Sequence, residues 1–300
     1  MKKKTYLFAL MAMALTLGSC SDNENGIGGE TSKYITVSTS IGNMTRVATD
    51  EKGGQTFEEG DEISVYAWTG DATVAPETRE RVVNNAINKL TNGSWVSTPQ
   101  MLWKNNRDKH YFIGVYPISA ISDLTAGEYT FDETKQVESD LLVAVNKDGL
   151  SYNVDEQQPV PLTFTHVMAK LVVNLTYKNQ WGGIPTVEKV VVGNAAKEAT
   201  INYLTKVVTP STTAKEDFSL PEITENTKYV SVIIPQEDVK QLTIVIGGKN
   251  FVYDNGTPFK FESGKITTVN LEVGRDEIKL GDVKITDWEN GSTFSGEALN

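Results

Sequence analysis

In the stretch Leu162 to Tyr177, LTFTHVMAKLVVNLTY, a two-residue alternation changes phase partway along, and this limits what the chain can fold into. At first the apolar side chains occupy even positions, with Leu162, Phe164 and Met168 opposite Thr163 and Thr165. Then the odd positions take over: Val167, Ala169, Leu171, Val173, Leu175 and Tyr177 form an apolar row, and Lys170, Asn174 and Thr176 face away, although Val172 interrupts the pattern. A strand projects its side chains alternately, so it cannot change its buried face without a bulge, a bend or a change of core. We read the switch as the junction between two β-domains, residues 33–166 and 167–300. A length of 300 residues fits two domains at about 150 residues each, and either half can bury a core of its own.

Strand signals fill both halves. Lys33 to Gly42, KYITVSTSIG, alternates Ile35, Val37, Thr39 and Ile41 against Thr36, Ser38 and Ser40. FEEGDEISVYAW puts a Gly-Asp turn before a strand with Ile63, Val65 and Ala67 on one face and Tyr66 and Trp68 on the other. Asn92-Gly93 marks a two-residue hairpin, which makes the end of Glu77–Leu90 extended and leaves a short helix near Arg79 open. KHYFIGVYP and Leu141 to Val145 are further strands, and Pro159 and Pro161 suit an edge or bend before the junction. Beyond it, VEKVVVG, ATINYL, YVSVIIP, LTIVIGG, FVYDNGTPFKF and ITTVNLEV follow at close spacing, with a hairpin turn expected at Asp254-Asn255-Gly256. This rhythm, without amphipathic helices, predicts an all-β chain of antiparallel sandwiches. The end is strand-like again: Ile278 and Leu280, then Val283 and Ile285, with Gly281-Asp282 between the two runs and Trp288 behind.

The chemistry-bearing residues exclude more than they propose. A formal charge of -11 argues against a nucleic-acid partner, since no basic stretch offsets it. Four carboxylates in Glu58-Glu59-Gly60-Asp61-Glu62 lack the spacing of a calcium loop and read as a solvated turn. The two histidines, His110 and His166, lack ligand spacing, and His166 reads as a packed side chain bonded to backbone. No nucleophile elbow, phosphate loop or dinucleotide fingerprint occurs. We therefore expect no enzyme, no metal and no cofactor. The five tryptophans could include a sugar platform, although core packing is their commoner use.

Export is written at the start. Lys2, Lys3 and Lys4 precede an apolar run, Thr5 to Leu17, too short to span a bilayer permanently. The run ends in Leu17-Gly18-Ser19-Cys20, which resembles the bacterial lipobox, so residues 1–19 read as a lipoprotein signal peptide and Cys20 as the lipidated first residue, carrying palmitate-type acyl chains. Cys20 is the only cysteine, so no internal disulfide supports the fold. Without residues 1–19 the chain would keep 25 basic and 39 acidic side chains, a charge of -14. Residues 20–32, polar, acidic and glycine-rich, form a flexible tether.

Taken together, the lipobox at Cys20, Thr45-Arg46, FEEGDEISVYAW from Phe57, YFIGVYP from Tyr111, LTFTHVMAKLVV from Leu162, IPQ at 234–236, the closing F-x-x-G-K-x-T-T-V-N-L at Phe261 to Leu271 and Ile285-Thr-Asp-Trp288 resemble the fimbrillin family of protease-matured pilins. The resemblance covers nearly the whole chain. It implies two tandem transthyretin-like antiparallel β-sandwich domains, and a structural pilus subunit in adhesive fimbriae, without catalytic residues or cofactor. It also implies export to the cell outer membrane as a lipoprotein precursor and cleavage by an arginine-specific maturation protease, which frees the subunit into a cell-surface fimbrium. By position the cut falls between Arg46 and Val47 and removes residues 33–46, the first strand; the tail strand, 278–288, maps to the family's C-terminal strands.

Physical chemistry makes such a scheme workable. Stripping a strand from a sandwich exposes an apolar groove and unpaired backbone groups, which another strand can relieve. A strand from one copy, or from a related pilin subunit, filling the groove of the next is a head-to-tail contact that propagates into a filament. Ile278, Leu280, Val283, Ile285 and Trp288 would each recover roughly 1.5–3 kcal/mol if fully buried. The alternative is a tethered surface lipoprotein that binds glycan or host protein through a sandwich face.

Overall fold

The computed structural model describes residues 33–42, 57–153 and 158–288, which lie in one compact unit, Ser32–Asn300. Their regular elements are strands and two single 3-10 turns, Thr78–Glu80 and Asn179–Trp181, so the chain is all-β. In order the strands are β1 (Val37–Ile41), β2 (Glu62–Thr69), β3 (Val83–Thr91), β4 (Ser94–Thr98), β5 (His110–Tyr116), β6 (Gly127–Thr130), β7 (Leu142–Leu150), β8 (Val160–His166), β9 (Ala169–Tyr177) and β10 (Val187–Ala196). There follow β11 (Glu198–Asn202), β12 (Val207–Pro210), β13 (Lys215–Leu220), β14 (Glu222–Thr224), β15 (Lys228–Ile233), β16 (Gln241–Ile246), β17 (Lys249–Asp254), β18 (Lys265–Val273) and β19 (Ile278–Asp287).

The phase switch falls between β8 and β9. Val160, Leu162 and Phe164 enter one buried cluster with Ile35, Val37, Ile41, Ile63, Val65, Ala67 and Phe112. Val167, Met168, Ala169, Leu171, Val173 and Leu175 enter another. Met168, assigned from sequence to the even row, thus belongs with the odd one, because β8 has already ended at His166. The alternation reverses because the chain changes cores.

Seven strands in the order β1-β8-β7-β5-β2-β3-β4 curl around the first cluster. The curl brings the leading strand beside the far edge: the Ile35 amide donates to the Met101 carbonyl at 2.9 Å, and the Trp95 indole N–H donates to the Thr39 hydroxyl at 3.0 Å. The other face of this sheet is apolar too, with Tyr66, Trp68, Ile113, Val115 and Val143 in the second cluster. Covering that face calls for a further layer, and the three-stranded sheet β12-β11-β6 supplies residues to the same cluster. Its β6 precedes the junction and its β11 and β12 follow it, so the two stretches of chain share a sheet.

The remaining strands form two sheets, β13-β10-β16-β17 and β14-β15-β9-β18-β19, whose apolar rows complete the second cluster. Two pairings are parallel, β1 with β8 and β9 with β18, where the rhythm of short strands predicts antiparallel neighbours. Asn92-Gly93 turns the β3–β4 hairpin with both residues at positive φ, as a two-residue loop requires. The expected hairpin at Asp254-Asn255-Gly256 does not form. Strand β17 pairs backwards with β16 through the Gly247-Gly248 turn, and the chain after Gly256 crosses to the other sheet.

Candidate functional site

The sequence pointed to two chain ends, a leading strand and a trailing one. Cys20, Arg46 and Val47 lie outside the described residues. Strand β1 lies at the edge of the seven-stranded sheet and pairs in parallel from Val37↔Val160 to Ile41↔Phe164, with the Gly42 amide closing on the Phe164 carbonyl at 2.8 Å. Its alternation buries Ile35, Val37 and Ile41 at 1%, 6% and 8% exposure, while the serines between them face out. Strand β8 meets its other neighbour, β7, only over Phe164–His166. Residues 160–163, Pro161 among them, therefore depend on β1 for strand pairing, which is where a proline, lacking an N–H, is tolerated.

Strand β19 is the edge of the five-stranded sheet, antiparallel to β18. Ile278, Leu280, Val283 and Ile285 do not alternate as written, since 280 and 283 are three apart. A bulge at Gly281 corrects this: Leu271 faces Leu280, Asn270 faces Asp282, and the extra residue falls between them. A Cβ on Gly281 would stand 3.2 Å from the Asn270 carbonyl oxygen, so the bulge suits glycine. All four apolar side chains then share the face of Val273, Leu271, Val269 and Thr267, each fully buried. They themselves are not. Leu280, Val283 and Ile285 are 37%, 38% and 38% exposed, and Ile278 is partly buried against the core. On the opposite face a polar ladder fixes register: the Asn174 amide donates to Asn270 at 2.7 Å, and the Asn270 amide donates to Asp282 at 2.6 Å.

Trp288, the fifth candidate, is buried at 8% exposure. Its ring stacks on His166, centroids 4.0 Å apart and 6° from parallel, and the Lys170 ammonium lies 5.1 Å from the indole centroid. Its amide donates to the Gly264 carbonyl at 3.0 Å, while the Gly264 amide donates to the Met168 carbonyl at 2.9 Å. His166, read from sequence as a packed side chain bonded to backbone, instead sets Nδ1 2.8 Å from an Asp140 carboxylate oxygen, and its buried Nε2 has no hydrogen-bond partner. Lys170, expected to face solvent, is buried at 3% exposure. Burial lowers its pKa to about 8, with the Asp140 carboxylate opposing the shift. Sequence reasoning missed this group because the residue that covers Lys170 comes more than a hundred positions later.

The other candidates take structural places. His110 is fully buried, its Nε2 accepting from the Lys104 amide at 3.0 Å, and burial lowers its pKa. Asp61 and Glu59 cap turns, accepting from the Glu58 and Asn92 amides at 2.7 Å each. Among the described residues no group of three or more His, Cys, Asp or Glu side chains is disposed to hold a metal ion. Trp68 and Trp288 are buried, and Trp95, Trp103 and Trp181 are half-buried.

Comparison with known proteins agrees with this architecture. A curated relative, the proposed fimbrium subunit Fim1C of Bacteroides uniformis, is 24% identical over 99% of this chain and 100% of its own. A crystal structure of a proposed cell adhesion protein from B. uniformis superposes with a TM-score of 0.64 at 19% identity, covering 87% of this chain and 100% of that one. One from Bacteroides ovatus, described in the same words, gives 0.62 at 18% identity, with 85% and 98% covered. A fimbrial protein from Bacteroides vulgatus gives 0.53 at 12% identity, with 84% and 99% covered. The sequence matches the fimbrillin-like family over residues 45–288, and the chain belongs to that family.

Proposed function

We propose that this chain is a structural fimbrial subunit that polymerises by strand exchange and supports adhesion at the cell surface. It is exported as a lipoprotein precursor held at the outer membrane through Cys20. An arginine-specific protease cuts between Arg46 and Val47, and the segment carrying β1 departs. Strand β19 of another copy, or of a related subunit, then fills the slot beside β8.

The observation that carries this reading is the asymmetry of the two edges. Loss of β1 would uncover the neighbours of Ile35, Val37 and Ile41, worth roughly 5–9 kcal/mol of apolar burial for the three. It would also leave residues 160–163 without a strand partner. Strand β19 carries an apolar row of which Leu280, Val283 and Ile285 stay 37–38% exposed in its own fold, and a closed slot would bury these three further. Membership of the fimbrillin-like family and the fimbrial relatives support the same reading.

The test is treatment of the purified chain, lacking residues 1–19, with an arginine-specific protease. Wild type should yield a ladder of polymers and Arg46→Ala should remain monomeric. A wild-type chain cut after Arg46 that stays monomeric would refute strand exchange and favour a tethered surface binder.

A further inference from the structure

The trailing strand is held to its own molecule unevenly. Along most of β19 the side chains are exposed or half-exposed, and only at its end does a large apolar group disappear, as Trp288 slides against His166. That contact is built from three elements: His166 ends β8, Lys170 belongs to β9, and Trp288 follows β19. Asp140 fixes the imidazole from the segment before β7. The indole's flat contact uses the imidazole face, and the lysine ammonium reinforces it over the ring, where a cation is attracted to π density.

The location is as informative as the chemistry. His166 lies two residues beyond Phe164, where the β1 ladder ends. One strand, β8, therefore borders the slot of the leading strand and grips the end of the trailing one.

We propose that the Trp288 indole, clasped by His166 and Lys170 at the β8–β9 junction, is a latch that keeps β19 on its own molecule and holds it back from a second copy until the clasp opens. The proposal rests on the strand-exchange reading and adds its control point: the uncut monomer is self-inhibited by its own tail.

Hydrogen exchange in the uncut chain tests the latch without assembly. In Trp288→Ala the amides of β19 should exchange about ten- to a hundred-fold faster than in wild type, with β2 and β5 unchanged as a check on the fold. Trp288→Phe, which keeps a ring for the stack, should stay within about threefold of wild type. Equal β19 exchange in Trp288→Ala and wild type overturns the latch. Assembly is read in His166→Ala, which opens the clasp without altering the donated strand; after the arginine-specific cut it should polymerise faster than wild type. If wild type polymerises and His166→Ala is no faster, the latch is overturned and strand exchange stands. If β19 is freed and neither cut protein polymerises, strand exchange itself fails, and the latch as its control fails with it.

Discussion

Strands β1 and β19 both lie at sheet edges and both pair with one neighbour along their length, yet their side chains are in opposite circumstances. The apolar row of β1 is no more than 8% exposed, and three of the four apolar side chains of β19 are 37–38% exposed. Strand β1 pairs in parallel and β19 antiparallel, but in either ladder a hydrogen bond nets only about 1 kcal/mol because water competes for the same groups. Side-chain burial therefore decides how firmly an edge strand belongs. By that measure β1 is part of its core, and β19 is a strand added to a finished sheet and fastened at Trp288.

The largest effect is expected at the leading strand. Ile35→Ala removes a side chain that is 1% exposed and belongs to the same buried cluster as Met101, Phe112 and Phe164, and should cost the uncut monomer about 2–5 kcal/mol in urea unfolding. A loss below about 1 kcal/mol would break the contrast, since it would mean that β1 can be stripped without opening a core.

A smaller effect belongs to the clasp. Lys170 has its pKa lowered to about 8 in the fold against 10.5 when unfolded, so the folded state disfavours its charge. The cost is fully present below pH 8. As pH rises from 8 towards 10.5 the folded lysine loses its proton while the unfolded one keeps it, and stability should climb by about 1–3 kcal/mol. Lys170→Met removes the titrating group and should flatten that rise, which paired urea titrations at pH 7.5 and 10 would reveal. Parallel curves for the two proteins would show that Lys170 carries no such cost.

The change of core at residues 166–169 was readable because strands buried on one face must alternate, and a reversal has few physical causes. The two-faced burial of β2 was readable for the same reason: Ile63, Val65 and Ala67 enter one cluster, Tyr66 and Trp68 the other. Partner choice was not readable. Alternation says which side of a strand is buried but not which strand lies beside it, so neither the parallel β9–β18 pair nor the β6–β11 pair could be foreseen. Asn255-Gly256 has turn chemistry and does turn the chain, yet the core sends the next strand to the other sheet. Lys170 misled for a related reason: a lysine opposite an apolar row reads as solvent-facing until Trp288 covers it.

The sharpest use of the comparison gives the smallest effect on the monomer. Leu280→Ser and Ile285→Ser alter side chains that are 37% and 38% exposed, so each should lower the uncut chain's unfolding free energy, measured in urea, by no more than about 1 kcal/mol. After the arginine-specific cut the same row would have to fill the slot that had buried Ile35, Val37 and Ile41, and a hydroxyl there would be desolvated without a partner. Both variants should then polymerise far less than wild type, although their monomers unfold alike. If either serine destabilised the uncut monomer as much as Ile35→Ala, β19 would be integral to its own core, and the difference between the two edges on which strand exchange depends would disappear.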